Sequence, residues 1–376
     1  MSDAAIEVMF LQQQGNDPYT EVPERIAQAN AVANRIARFI GEAEATLDIA
    51  IYDFRLHGEP ASMISEALRN RCKAGVAIRI AFDATTSAEP ESTFAQAPVL
   101  VEADKKPSGT ENFVGSLTDM ATLKAITGYR ALMHNKYIVR DALSPTAAVF
   151  TGSANYTNDS WGLQENNLLF VQSQALAAHY AQDFADLWSR GRIRETPGTG
   201  DVETVSIGDV EFAIGFTPAD SPAVLKEIVG AIAGARTTLR VASVVLSSGP
   251  ILAALSEAID RGIALEGIYD GPQMDQVERQ WRVAHVGADK VNTWQKVAQR
   301  LTRKDSLPFD SHKPNQPHNF MHNKLVIADD RVILGSFNLS NHAMGNAENV
   351  LLIKDDALAR QYGAYLTALT TKYRAS

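Results

Sequence analysis

The chain of 376 residues is 45% hydrophobic and 21% charged, proportions of a globular protein with room for two or three domains. Its 24 glycines and 15 prolines are near average usage, excluding collagen-like and largely disordered chains; no apolar run reaches a bilayer span and no basic stretch opens a secretory leader, so a cytoplasmic protein is expected. A net charge of −9 argues against polyanion binding over the whole surface, and the single cysteine, Cys72, excludes an internal disulfide and any multi-cysteine zinc site.

In chain order, the first predicted element is a helix starting near Pro23, with Val32, Ile36 and Ile40 on one face. A strand over 46–52 follows, then a second helix and a strand over 75–83. Further along come an extended run at Tyr137-Ile138-Val139, another from Glu165 to Phe170, and a closing helix carrying Leu176, Tyr180, Phe184 and Leu187. Residues 195–201 have linker composition. The series then begins again. Val224, Ile228 and Ile232 lie 192 residues after their counterparts, strands recur at 238–244 and 262–270, and the closing helix returns as Leu358, Tyr362, Leu366 and Leu369. Two similar α/β/α sandwich lobes with mixed sheets are expected, over residues 1–200 and 201–376, related by a pseudo-twofold axis.

Each lobe holds the same chemical block. The first reads Met133-His134-Asn135-Lys136, with Asp141 five residues after the lysine, then Gly152-Ser153-Ala154-Asn155 and Glu165. The second reads Met321-His322-Asn323-Lys324 with Asp329, then Gly335-Ser336-Phe337-Asn338 and Glu348. Histidine and lysine two residues apart on an extended segment point to one face, so each block offers an imidazole and an ammonium together. Two such sets suit a phosphodiester. A neutral imidazole can attack phosphorus, a protonated one can supply the leaving oxygen with its proton, and lysines and asparagine amides can hold the charge on the phosphoryl oxygens. A carboxylate within reach would fix each imidazole's tautomer, and Glu165 and Glu348 are the candidates. Chance does not account for the whole block occurring twice, and the cluster of His312, His318 and His322 is read as no metal site because His322 has a better role.

His-x-Lys-x4-Asp followed by Gly-Ser-x-Asn, present twice, resembles the phospholipase D superfamily. The resemblance implies a covalent phosphohistidine, resolved by water or another alcohol; the residues' own chemistry calls for no metal or other cofactor, and no dense carboxylate cluster that would hold magnesium is evident in the sequence. It implies that His134 and His322 form the nucleophile and general acid/base pair, His134 being the nucleophile. Lys136, Lys324, Asn155 and Asn338, with Ser153 and Ser336, would bind the substrate phosphate, while Asp141 and Asp329 brace the motif.

The stretch from Gly271 to His318 reads as a loop overhanging the pocket, with eight lysines and arginines against five acids, and so as a basic rim on an acidic body, or else as a solvated amphipathic helix. Trp281 and Trp294 within it, and Tyr156 and Trp161 after the first Gly-Ser-x-Asn, are candidates for stacking on bases or meeting a lipid interface. Three readings follow: a phospholipase D-type enzyme hydrolysing or exchanging phosphatidyl head groups, a metal-independent nuclease, and a noncatalytic nucleic-acid-binding module. The expected partner is a phosphodiester, phospholipid or nucleic acid. Peripheral membrane contact is compatible with this, and no obligate protein partner is implied.

Overall fold

The computed structural model describes residues 6–84, 109–194, 198–284, 288–308 and 316–374, and in it the sequence repeat becomes a repeat of two sheets. The first unit runs β1 (Ile6–Leu11), α1 (Pro23–Gly41), β2 (Thr46–Ile51), β3 (Phe54–Arg55), α2 (Gly58–Lys73), β4 (Ala77–Asp83), α3 (Thr110–Gly115), β5 (Thr122–Ile126), β6 (Lys136–Arg140), β7 (Ala148–Gly152), β8 (Tyr156–Thr157), α4 (Asn158–Gly162), β9 (Asn166–Gln172) and α5 (Gln174–Arg190). The second runs β10 (Glu203–Ile207), β11 (Val210–Thr217), α6 (Ser221–Gly234), β12 (Thr238–Ser243), α7 (Gly249–Asp260), β13 (Ala264–Asp270), α8 (Gly271–Val283), α9 (Ala288–Ala298), β14 (Thr302–Lys304), β15 (Lys324–Ala328), β16 (Arg331–Gly335), β17 (Glu348–Lys354) and α10 (Asp356–Arg374).

The first sheet has the order β1-β9-β7-β6-β2-β4-β5, and the second is β10 followed by β11-β17-β16-β15-β12-β13-β14, the same order element for element. In both, two parallel pairings (β2 with β4, β4 with β5; β12 with β13, β13 with β14) join an antiparallel set, so the sheets are mixed. The chain is therefore a duplicated α/β protein. β2 reads as an unbroken buried run from Leu47 to Ile51 because helices cover both faces of the sheet, which removes the polar alternation of a half-exposed strand.

Helices close each sheet for reasons visible in their sequences. Pro23 sits at the start of α1, where a missing N–H costs nothing, and Val32, Ile36 and Ile40 face inward. α5 starts at a Ser173 cap that accepts the Leu176 N–H and stops at Gly191, whose φ of 64° is the left-handed turn that favours glycine. Leu176, Tyr180, Phe184 and Leu187 are buried, as are Leu358, Tyr362, Leu366 and Leu369 of α10. Full burial of each such aliphatic or aromatic side chain contributes about 1.5–3 kcal/mol, so these helices are integral to the cores they cover.

Three expectations are corrected. Residues 271–308 are not an overhanging loop: α8, α9 and β14 belong to the fold, with Met274, Val277, Trp281, Trp294 and Val297 in the core of the second unit. Trp281 and Trp294 are 8% and 3% exposed, and Tyr156 and Trp161 are 1% and 0% exposed, so none of the four is an exposed stacking platform. The basic rim is partly neutralised: Arg303 is paired with Asp275 and Asp305, Lys296 with Asp260 at 2.6 Å, Arg282 with Glu278, and Lys304 is buried, while Arg279, Lys290 and Arg300 make no salt bridge among the described residues. Asp310, His312 and Lys313, and Glu195 to Pro197 of the linker, lie outside the described residues.

Where the sequence suggested a change of lobe at residue 200, the chain packs with the first unit through Ile193 and with the second from Arg194. Residues 316–319 return to the first unit before the second unit resumes at Phe320. Among the described residues no helix is long and apolar enough to cross a membrane.

Candidate active site: two equivalent motif blocks

In the first unit, Lys136 opens β6 beside Ile51, the last residue of β2, and the Tyr52 N–H continues the ladder to the Asn135 carbonyl at 3.0 Å. That pairing places His134 just beyond the strand end, 4% exposed, with its ring edge-on to Tyr52 at a centroid separation of 4.8 Å. Lys136 is 0% exposed; its Nζ donates to the His134 carbonyl at 2.7 Å and lies 5.1 Å from the Tyr52 ring centroid. The second unit repeats the arrangement. Lys324 opens β15 beside Ser243 at the end of β12, and its Nζ donates to the His322 carbonyl at 2.7 Å. His322 is 2% exposed. A lysine bent back onto the carbonyl of the residue two before it keeps its charge beside the imidazole instead of in solvent.

The glycine of Gly-Ser-x-Asn is required by a close backbone approach. A Cβ on Gly152 would stand 2.2 Å from the Asn167 carbonyl oxygen, and one on Gly335 would stand 2.2 Å from that of Asn349. Without a side chain there, the Ser153 N–H reaches the Asn167 carbonyl and the Ser336 N–H reaches that of Asn349, both at 3.0 Å. The serine side chains complete the clasp. Ser153 Oγ accepts the Asn167 N–H at 3.1 Å and donates to Asn166 Oδ1 at 2.7 Å, and Ser336 Oγ accepts the Asn349 N–H at 3.0 Å. The Ser153 proton is therefore committed to Asn166. This serine joins β7 to the start of β9. The clasp explains the constant spacing to Glu165 and Glu348, which begin the next stretch in register.

Both glutamates are 0% exposed. Glu165 Oε1 accepts the Gln13 N–H at 3.1 Å, and Glu348 Oε1 accepts Asn346 Nδ2 at 3.0 Å. Asn155 is 4% exposed, and the carboxamide oxygens of both Asn155 and Asn338 are buried without a hydrogen-bond partner, an unusual state for a buried polar atom and one repeated in both copies.

Asp141 and Asp329 stand at the far ends of β6 and β15. At about 3.3 Å per residue, Asp141 is roughly 16 Å along the chain from Lys136. Both take the left-handed conformation, with φ of 50° and 53°. The Asp141 carboxylate accepts the N–H groups of Glu44, Ala45 and Thr46 at 2.7–2.8 Å, tying the α1–β2 turn to β6. Asp329 accepts those of Arg236, Thr237 and Thr238 and the Thr237 hydroxyl. Partial burial disfavours its charge, but the Thr237 hydroxyl and the three N–H donors bring its pKa down to about 2.

Sequence reasoning missed a second pair of aspartates. Asp83, the last residue of β4, accepts the Met133 N–H at 2.8 Å, and Asp270, the last of β13, accepts the Met321 N–H at 2.8 Å. Both are 0% exposed, and each fixes the residue directly before a motif histidine. Burial pushes the Asp270 carboxyl up to about 6, against hydrogen bonds from Ser306, Met321 and Gln273 and the charge of Lys304. Their signal was present in the repeat, where both apolar strands end in aspartate.

His318 belongs to the first unit, where its N–H reaches Asp159 Oδ2 at 2.9 Å and its carbonyl accepts Gln164 Nε2 at 3.3 Å. Desolvation lowers its pKa, opposed by the carboxylates of Asp159 and Asp53. His322 belongs to the second unit.

A family model described as "Cardiolipin synthase, PLD-like domain" matches residues 36–188 and again residues 228–370. Among solved structures, phosphatidylserine synthase of Haemophilus influenzae Rd KW20 aligns with a TM-score of 0.60 at 14% identity, covering 96% of this chain and 86% of that one. Polyphosphate kinase of Porphyromonas gingivalis aligns with a TM-score of 0.56 at 10% identity over 96% of this chain; this chain spans 50% of the kinase's length. Nuc of Salmonella typhimurium, described as a phospholipase D family member, is 20% identical over 43% of this chain and 93% of its own, with a TM-score of 0.32. Among curated proteins none matches. At these identities the structural likeness establishes the fold.

Proposed function

The chain belongs to the phospholipase D-like family, and we propose that it is a metal-independent phosphodiesterase in which the two half-sites serve one phosphodiester, with phosphatidyl head groups as the substrate class. In this reading the neutral His134 imidazole attacks phosphorus. The bond from phosphorus to the leaving oxygen breaks, and the His322 imidazolium gives its proton to that oxygen, leaving a phosphohistidine on His134. Neutral His322 then takes a proton from water or another alcohol, whose oxygen attacks phosphorus; the P–N bond breaks and His134 is restored. Lys136, Lys324, Asn155 and Asn338 hold the phosphoryl oxygens, where preorganised donors lower the barrier most. Glu165 and Glu348 keep the imidazole tautomers in place.

The observation that carries this reading is the repetition of the half-site: a buried histidine and a lysine returned to its carbonyl at 2.7 Å, with the same Gly-Ser-x-Asn backbone clasp in each unit. One imidazole cannot be both the nucleophile and the acid in the same step, so a duplicated half-site is what this chemistry requires. The lipid preference is supported by the net charge of −9, which would repel a long polyanion, and by the ion pairs that neutralise Arg282, Lys296 and Arg303. The test offers purified protein phosphatidylcholine, single-stranded DNA and duplex DNA in EDTA. Choline release with intact DNA is expected. DNA cleavage without choline release would replace the lipid reading with the nuclease one, and loss of all activity in EDTA would remove metal independence.

A further inference from the structure

The second unit contains a cleft that the proposed chemistry does not use. Ser247, Gln280, Trp281, Lys290, Asn341 and His342 line it. Its wall is continuous with the loop that carries Asn338: the N–H groups of Ser247 and Ser248 both reach the carbonyl of Leu339, the next residue, at 2.9 and 3.0 Å. Asn341 and His342 lie further along the same loop, between Asn338 and Glu348.

Two groups in the cleft lack what they need. Lys290 sits in the first turn of α9 with its ammonium 4.6 Å from the centroid of the Trp281 ring, and among the described residues it has no hydrogen bond and no acidic partner. Neighbouring cations do have one: Arg282, Lys296 and Arg303 each pair with a carboxylate. Desolvation lowers the Lys290 pKa, as expected of an ammonium held against an indole without a counter-ion. Gln280, the residue before Trp281 on α8, has its amide oxygen buried with no hydrogen-bond partner. The cleft thus offers a positive charge that lacks an anion and an acceptor that lacks a donor, side by side with an aromatic face.

We propose that this cleft binds a hydroxylated phosphate monoester, the phosphate against Lys290 and a hydroxyl donating to Gln280 Oε1. A bare anion such as sulfate satisfies only the lysine, and a neutral alcohol only the amide. Glycerol phosphates and nucleoside phosphates carry both groups. The inference rests on the phosphodiesterase reading only for the origin of that ligand, a fragment of lipid or of nucleic acid.

The test is calorimetric titration of the full chain at pH 8, where alkyl phosphates are dianions without a P–OH donor, using glycerol 3-phosphate, thymidine 5′-monophosphate and methyl phosphate as probes. The two hydroxylated probes are expected to bind more tightly than methyl phosphate, and whichever of them is tighter identifies the source. Lys290→Met is expected to weaken the hydroxylated probes roughly 10- to 100-fold, the range for losing a hydrogen bond to a charged group, while Lys290→Arg stays within a few-fold of wild type. Gln280→Leu is expected to erase the preference over methyl phosphate. Wild-type affinity in Lys290→Met, or binding that disappears in Lys324→Ala instead, would overturn the proposal, and a wild-type melting temperature in Lys290→Met excludes misfolding as the cause. Binding that depends on Lys290 in a protein that turns over no phosphodiester would remove the proposed function and leave this site standing.

Discussion

Asp83 Oδ1 accepts the Met133 N–H at 2.8 Å, so the end of β4 holds in place the residue directly before His134. The same bond from Met321 to Asp270 does this before His322. A buried N–H left without its acceptor costs about 1–3 kcal/mol. Asp83→Ala is therefore expected to lower stability by about 2 kcal/mol in urea denaturation and to reduce kcat at least tenfold with little change in KM. Asp83→Asn keeps an acceptor oxygen and is expected to recover most of the loss. An Asp83→Ala protein with wild-type kcat would show that the bond does not position the histidine.

Asp270 also makes a pH prediction. Burial raises its carboxyl from the usual 3.8 to about 6, so the folded state retains a proton that the unfolded chain has released. Its contribution is full below pH 4 and is lost as pH rises through 6, an effect on the order of 3 kcal/mol. Stability measured by denaturation at pH 4 to 7, wild type minus Asp270→Asn, is expected to fall across this window. A difference that rises or stays level would contradict the assignment of the shift to this buried carboxyl.

Gly152 and Gly335 are predicted to be intolerant of even one carbon. A Cβ 2.2 Å from a backbone carbonyl oxygen forces the β7–β9 or β16–β17 clasp apart. Overpacking and the φ values of 151° and 137° together give an expected loss of about 3 kcal/mol for either alanine variant. Thermal denaturation of Gly152→Ala reads this directly, and an unchanged melting temperature would mean that the clasp yields without cost.

Trp294 provides a contrast between the two readings of an aromatic residue. With 3% exposure in the core of the second unit, Trp294→Ala is expected to cost about 3–5 kcal/mol. A surface stacking residue would cost little stability and weaken substrate binding instead, and equilibrium unfolding alongside KM separates the two outcomes.

The repeat was readable because the same elements recur in the same order: Val32, Ile36 and Ile40 return as Val224, Ile228 and Ile232, all buried. Motif blocks were equally visible, since His-x-Lys and Gly-Ser-x-Asn both occur twice in the same order, each pair followed by a glutamate ten residues after the asparagine. What stayed hidden depended on partners distant in sequence. Lys296 pairs with Asp260, 36 residues earlier and outside residues 271–318, so a tally of charges over that stretch could not show the partner. The helix of Trp281 did carry a local signal, because Met274, Val277 and Trp281 fall on one helical face and are buried together. Sequence likewise does not reveal that the Ser153 hydroxyl donates to Asn166, thirteen residues away.

The central claim is that one imidazole from each half acts on a single phosphodiester. Turnover of a soluble phosphodiester by His134→Ala, His322→Ala and the double variant tests it most directly. A shared site predicts that each single variant loses at least roughly 1,000-fold and that the double variant loses little more, because residues acting as a unit are not additive. Single variants that each retain about half of the wild-type rate would mean that the halves work independently, and the account would fail.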